Sequence, residues 1–404
     1  VFYIDDLYEI NYNQSRTNLF IRIFRSVIIS SLIAVVFFYI GQNNIFSIKP
    51  QKVLLIYALV NGTLTYVWHT IFNTATSSLK IANGLAIIGF NELVNEIIEE
   101  INKKPQLGLK LKALMVESSA SVPKNLENLT LVNRLDDLKN VCQEKEINTI
   151  ISTIHPRESS SLAKSLFACL PLKINFFDIA NFYEKVTGKI PVTTVEQIWF
   201  LENLSESSKK LYEITKRVFD ICFSLILLII SLPFLPFIAL IIKAETKGPV
   251  LFKQGRIGKN GKELKIIKFR TMFTDAEANG PQWASKNDSR VTKVGKFLRK
   301  SRIDEIPQLL NIIKGEMSLI GPRPERQNFI EELQKEIPFY NERLLVKPGL
   351  TGWAQVAGPA YGGSKEESLE KLQYDLFYIK NRSLGLDLSI TLKTIKTVLT
   401  VKGQ

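Results

Sequence analysis

The chain has 404 residues, enough for two or three domains, and carries a net charge of +13 with 46% hydrophobic residues. So basic a chain suits nucleic acid, anionic lipid or phosphorylated substrates, and the apolar fraction selects membrane among them; no nucleic-acid partner is expected. Three dispersed cysteines and two histidines exclude a disulfide framework, a cysteine-based zinc site and histidine-based catalysis.

Residues 1–79 read as a transmembrane helical region. Apolar stretches run from Phe24 to Ile40 and from Val53 to Phe72, each close to the ~20 residues a spanning helix needs. Arg16, Arg22 and Arg25 precede the first and would hold that end inside. Residues 80–195 alternate short apolar runs with charged, helix-periodic segments, the pattern of a parallel, Rossmann-like α/β domain. Gly89 stands alone where dinucleotide binding needs G-x-G-x-x-G, so a structural or regulatory role is expected there. Residues 196–215 read as a polar helical linker, and 216–404 as an α+β catalytic domain.

That last domain opens with an apolar segment, 218–242, interrupted by Pro233 and Pro236. Lys209, Lys210, Lys216 and Arg217 precede it, and Lys243, Lys247, Lys253 and Arg256 follow. A helix that breaks near Ser231 and Pro233 and leaves on its own side keeps both basic clusters on one face, and is expected over the alternative of a helix that spans the bilayer. Strand-like runs with basic residues follow, including Lys268-Phe269-Arg270-Thr271-Met272. Next comes Ile303-Asp304-Glu305-Ile306-Pro307-Gln308-Leu309, where helix-periodic apolar residues and Pro307 place a helix start near Asp304 and Gly315 supplies its stop. Carboxylates at a helix start are expected to stay ionised. With Lys293, Lys296, Arg299, Lys300 and Arg302 upstream and Gly321-Pro322-Arg323-Pro324 downstream, the pair suggests a site for a polyanion and a divalent metal. A salt-bridged surface helix is the plainer alternative. From Leu388 to Val398 an apolar face beside Lys393 and Lys396 suits a helix lying on anionic lipid.

Taken together, Lys216-Arg217-Val218-Phe219-Asp220, the proline-broken segment, Gly248-Pro249-Val250, Lys268 to Met272, Asp304 to Leu309, Gly321 to Pro324 and Pro348-Gly349-Leu350-Thr351-Gly352 resemble the catalytic domain of bacterial monotopic phosphoglycosyl transferases, the bacterial sugar transferases. The upstream part looks like their large subclass. The resemblance implies transfer of a phosphosugar from a UDP-sugar to undecaprenyl phosphate with release of UMP, an early step of exopolysaccharide, capsule or O-antigen synthesis. It implies Asp304 as covalent nucleophile, Glu305 beside it, Mg²⁺ held by both, and Lys268, Arg299, Arg323 and Arg270 around the diphosphate. It further implies the bacterial inner membrane, with the catalytic domain on the cytoplasmic face, and it is compatible with a homo-oligomer. Members have about four spanning helices; the chain shows two and begins at Val1, so the N-terminus is expected to be incomplete. Leu232 separates Ser231 from Pro233 where the family often has adjacent Ser-Pro. A nucleotide-sugar dehydratase built on residues 80–190 and a non-enzymatic membrane scaffold are the competing readings. The first lacks the glycine fingerprint, and the second leaves Asp304-Glu305 unexplained.

Overall fold

The structure, a computed structural model, describes residues 23–34, 51–78, 83–104, 107–116, 130–132, 134–204, 209–276, 280, 288–359 and 364–399. It divides into two compact units, 1–187 and 188–404.

In the first unit, helices α1 (Ile23–Ala34) and α2 (Gln51–Ser78) cover part of the first apolar stretch and the whole of the second. Ile23 and Val27 of α1 are buried, with Ala58 and Tyr66 of α2 against them, while Leu59, Leu64 and Trp68 face outward. Arg16, Arg22 and residues 35–50 lie outside the described residues.

The α/β layer follows as β1 (Asn83–Ile88), α3 (Glu92–Lys103), β2 (Leu109–Met115), β3 (Thr130–Val132), α4 (Leu138–Glu144), β4 (Ile147–Ser152), α5 (Ser160–Ala168), β5 (Asn175–Asp178) and α6 (Ile179–Thr187). All neighbouring strands are parallel, in the order β3-β2-β1-β4-β5. Leu85-Ala86-Ile87-Ile88 is buried throughout because both faces of β1 are covered. Leu93, Val94 and Ile97 of α3 and Phe182 and Tyr183 of α6 pack on one face; Leu138, Cys142 and Leu162 of α4 and α5 pack on the other. At the ends of β1 and β4, where a Rossmann sheet admits a pyrophosphate, Gly89 adopts φ 85° and a Cβ there would lie 1.9 Å from Thr153 Oγ1. Gly89 thus lets Thr153 close over the strand ends, and Thr153 N donates to Ile88 O at 2.9 Å.

The second unit begins earlier than the sequence suggests. Ile190, Val192 and Val195, expected in the Rossmann-like layer, belong to the main core of this unit with Tyr340, Leu372 and Leu376. The expected linker is α7 (Gln197–Asn203) and the first turns of α8 (Lys210–Ser231), and Trp199 and Phe200 pack on the same core. Nothing in the local pattern of 188–203 reveals this, because these residues gain their burial from distant chain, as Phe200 does from Phe339, 139 positions away.

After α8, a 3₁₀ turn at Leu232–Phe234 leads into α9 (Leu235–Glu245). Lys210–Glu245 is the one helical segment among the described residues long and apolar enough to cross a membrane. Ser231 Oγ donates to Leu228 O at 2.9 Å. The Leu232 N–H takes up Ile229 O, the carbonyl that Pro233 cannot serve. Then come β6 (Leu251–Ile257) and β7 (Glu263–Phe269), an antiparallel pair, α10 (Lys293–Lys300), a 3₁₀ turn at Ile303–Gln308 and α11 (Leu309–Lys314). β8 (Ser318–Ile320), α12 (Gln327–Glu336), β9 (Gly349–Thr351), α13 (Trp353–Ala357), α14 (Lys365–Asn381) and α15 (Leu384–Leu399) complete it. The parallel β8–β9 pair locks the Gly321-Pro322 turn, since Gly321 N donates to Thr351 O and Gly349 N to Pro322 O, both at 2.9 Å.

Candidate active site

Asp304 and Glu305 lie in the 3₁₀ turn that precedes α11, and both are buried. The turn is entered through Arg302, a non-glycine residue at φ 58°, ψ 13°. A left-handed residue there reverses the chain directly after α10, and costs roughly 1–2 kcal/mol that surrounding contacts must offset. Gly315 ends α11 at φ 88°, as expected.

Three cations surround Glu305. Lys268 Nζ, from the end of β7, and Arg323 Nη2, from the locked turn, each lie 3.0 Å from Oε1, and Arg302 Nη1 lies 3.7 Å from Oε2. Burial works to raise this carboxyl, but Lys268, Arg323 and Arg302 outweigh it and hold it well below the usual carboxylate range. Asp304 goes the other way. Burial, with the Glu305 charge added, pushes it up to about 6 against Lys268, Arg299 and Arg323. A helix start favours charge on both carboxylates, but removal from water and a like charge next door make Asp304 much the weaker acid of the two. Its Oδ1 is buried without a hydrogen-bond partner.

The expected cations separate. Arg299 donates from Nε to Thr271 Oγ1 at 2.9 Å, and its charge acts on Asp304. This contact requires close approach of α10: a Cβ on Gly295 would lie 2.0 Å from Thr271 O. Lys293, Lys296 and Lys300, on the other side of α10, are exposed. Arg270 has a different job. It is buried, and its terminal nitrogens donate to Lys247 O at 2.9 Å and to Thr246 O and Oγ1 at 2.8 Å, so it ties the end of α9 to the catalytic unit. Glu245 adds to that tie by accepting from Lys293 N and Val294 N at the start of α10.

Other residues hold the site and carry no charge motif. The buried Asn311 accepts from Ile267 N at 3.2 Å and donates to Lys265 O at 2.8 Å. Its amide does for the free edge of β7 what a neighbouring strand would do, and so fixes Lys268 against the turn. Arg343 Nη2 donates to Arg323 O at 3.0 Å and to Asp375 Oδ2 at 2.8 Å, with Nη1 on Tyr340 OH at 2.7 Å. Each interrupts an apolar run, Asn311 within Leu309–Ile313 and Asp375 beside Leu376-Phe377, the one sequence signal that could have marked them.

The unpartnered Asp304 oxygen and the neighbouring Glu305 are oxygen donors of the kind a hard cation takes, and the surrounding cations are of the kind that meets phosphoryl oxygens. Mg²⁺ takes one or two carboxylates together with substrate phosphates, and this donor set fits that need. Among the described residues no third histidine, cysteine or carboxylate joins the pair.

The fold and site join a cation-ringed carboxylate pair to a helical segment long and apolar enough to cross a membrane. A family model described as bacterial sugar transferase matches residues 211–401, and one described as CoA-binding domain matches 3–177. The chain belongs to the bacterial sugar transferase family. It is 42% identical over 238 residues to the UDP-N-acetylgalactosamine-undecaprenyl-phosphate N-acetylgalactosaminephosphotransferase of Aeromonas hydrophila, covering 59% of this chain and 55% of that protein. It is 34% identical over 305 residues to the UDP-glucose:undecaprenyl-phosphate glucose-1-phosphate transferase of Klebsiella pneumoniae, covering 74% of this chain and 64% of that protein. An exopolysaccharide production protein of Rhizobium leguminosarum bv. phaseoli is 42% identical over 197 residues, 46% of this chain and 96% of the relative. The chain thus spans between half and two-thirds of the length of the first two relatives.

Proposed function

We propose that this chain transfers a sugar 1-phosphate from a UDP-sugar to undecaprenyl phosphate, releasing UMP and beginning the assembly of a surface glycan. The observation that carries this is the asymmetry of the carboxylate pair, one oxygen-donor group neutralised by three cations and its neighbour left without a partner at Oδ1. Asp304, once ionised, attacks the sugar-bearing phosphorus of the UDP-sugar; the phosphoanhydride bond breaks and its electron pair leaves with UMP. The polyprenyl phosphate oxygen then attacks the same phosphorus and frees the Asp304 carboxylate. Lys268, Arg299 and Arg323 are placed to meet charge on the phosphoryl oxygens, and Glu305 holds Lys268 and Arg323 in position. Bound Mg²⁺, held by Asp304 and Glu305, would supply further neutralisation of the diphosphate.

The proline-broken segment is read as entering the bilayer and returning on the cytoplasmic side of the inner membrane. Both of its arms attach to one unit: Arg217 donates to Ile312 O and Ile313 O, Asp220 accepts from Leu319 N, and Arg270 and Glu245 secure the far end. Leu232, Phe234 and Phe237 around the break are exposed.

The test is UMP release from a panel of UDP-sugars in detergent with undecaprenyl phosphate and Mg²⁺, for the wild type and Asp304→Asn. Release with one donor, lost in the variant, is expected. Release from no donor, or equal release from the variant, would overturn the reading.

A further inference from the structure

The structure holds a polar cavity of about 50 Å³ beside the N-terminal turns of α8. On the scale at which one water needs about 10–15 Å³, it has room for three or four waters, or one phosphate group. Ser318, Ile320 and Tyr378 line it; its charged residues are the cations Lys216, Arg217, Lys347 and Arg382 and the carboxylates Glu213 and Asp220. Catalysis as proposed above uses none of these.

The cations are not equivalent. Lys216 pairs with Asp387 at 2.9 Å, and Arg382 pairs with Glu213 at 3.3 Å. Arg217 gives its terminal nitrogens to two carbonyls, which leaves its charge without a carboxylate partner in contact. Lys347 makes no hydrogen bond or ion pair among the described residues. The two heads converge: from the point where a Cβ on Gly315 would sit, Arg217 Nη2 lies at 3.3 Å and Lys347 Nζ at 3.7 Å. Burial and the Arg217 charge push the Lys347 amine down, and Asp220 and Glu213 offset this only in part. With Glu213 paired to Arg382, Asp220 is, among the described residues, the one lining carboxylate set against these two cations, and the excess positive charge is what an anionic group would match.

Depth in the membrane selects the source of that group. The outward stripe of α8 is apolar from its first turns, with Leu211, Ile214 and Val218 all exposed ahead of Ile226 and Ile229. A stripe of this kind lies at the headgroup–acyl boundary, and the cavity sits on the opposite, domain-facing side of the same turns. We propose that this cavity binds the phosphate of an anionic phospholipid headgroup, with Arg217 and Lys347 as its cations. Such a contact would fix the depth at which α8 enters the bilayer.

Thermal unfolding of the full chain in neutral detergent tests this without any need for turnover, so it stands or falls apart from the transferase reading. The ligands are dioctanoyl phosphatidylglycerol, dioctanoyl phosphatidylcholine and inorganic phosphate. Phosphatidylglycerol should raise Tm saturably, and Lys347→Gln should raise the half-saturating concentration at least tenfold. Lys347→Arg should keep the response, as should Lys262→Gln, which removes an exposed lysine elsewhere. Lys347→Met serves if the glutamine variant does not fold. An equal phosphatidylglycerol response in the wild type and in Lys347→Gln would overturn the site. A response to inorganic phosphate that lipid does not increase, or an equal response to phosphatidylcholine, would overturn the anionic headgroup as the ligand.

Discussion

Asp304→Asn should inactivate the protein and at the same time make it more stable. Burial and the Glu305 charge lift the Asp304 carboxyl from 3.8 to about 6. At neutral pH the folded chain therefore holds an ionised group that folding disfavours. At 1.36 kcal/mol per unit, a rise of roughly two units corresponds to about 3 kcal/mol. The direction follows from linkage. A carboxyl raised on folding penalises the folded state fully above its folded value and not at all below its unfolded value. The stabilisation by asparagine should accordingly be present above pH 6 and vanish near pH 4. For a unit of this size, about 3 kcal/mol corresponds to roughly 6–12 °C in Tm. The assay is thermal unfolding in detergent at pH 7.5 and pH 4.5, paired with UMP release. A lower Tm for the variant at pH 7.5, or the same gain at both pH values, would refute the strained-carboxylate argument. Turnover within about tenfold of wild type, a barrier change of only about 1.4 kcal/mol, would refute Asp304 as nucleophile.

Activity of the wild type should rise with pH through about 6 as Asp304 ionises, and Lys268→Met, which removes a cation that lowers Asp304, should move that limb upward. A pH profile of kcat/KM decides; a limb that stays in place would separate Lys268 from Asp304. Asn311→Leu should cost roughly 2–4 kcal/mol, because Ile267 N and Lys265 O on the edge of β7 both lose their partner, and denaturant unfolding would read it. Pro233→Leu should restore a regular helix through Leu232–Phe234, and cysteine labelling on either side of the segment should then change from a same-side to an opposite-side pattern. An unchanged pattern would remove proline as the cause of the turn.

Much of this protein is written locally. The parallel layer is legible because β1 and β4 carry short apolar runs, Leu85–Ile88 and Ile150-Ile151, and the intervening segments keep helical period. The stop at Gly315, the proline-broken segment and the adjacent carboxylates depend on neighbours within a few residues, and so the sequence alone carries them. The two carboxylates cannot be told apart in that way. Their difference arises from Lys268, 37 positions away from Glu305, and Arg323, 18 away, converging on Glu305 while Asp304 Oδ1 receives no partner. For the same reason Arg270 reads in sequence as one more phosphate-binding cation, whereas packing turns it to the carbonyls of Thr246 and Lys247. Residue type and spacing determined that this chain would gather cations around a carboxylate pair downstream of a long apolar, proline-broken segment. Which cation meets which carboxylate, and which carboxylate oxygen is left without a partner, was decided only by tertiary contacts, because desolvation and Coulomb interaction depend on distance through space and not along the chain.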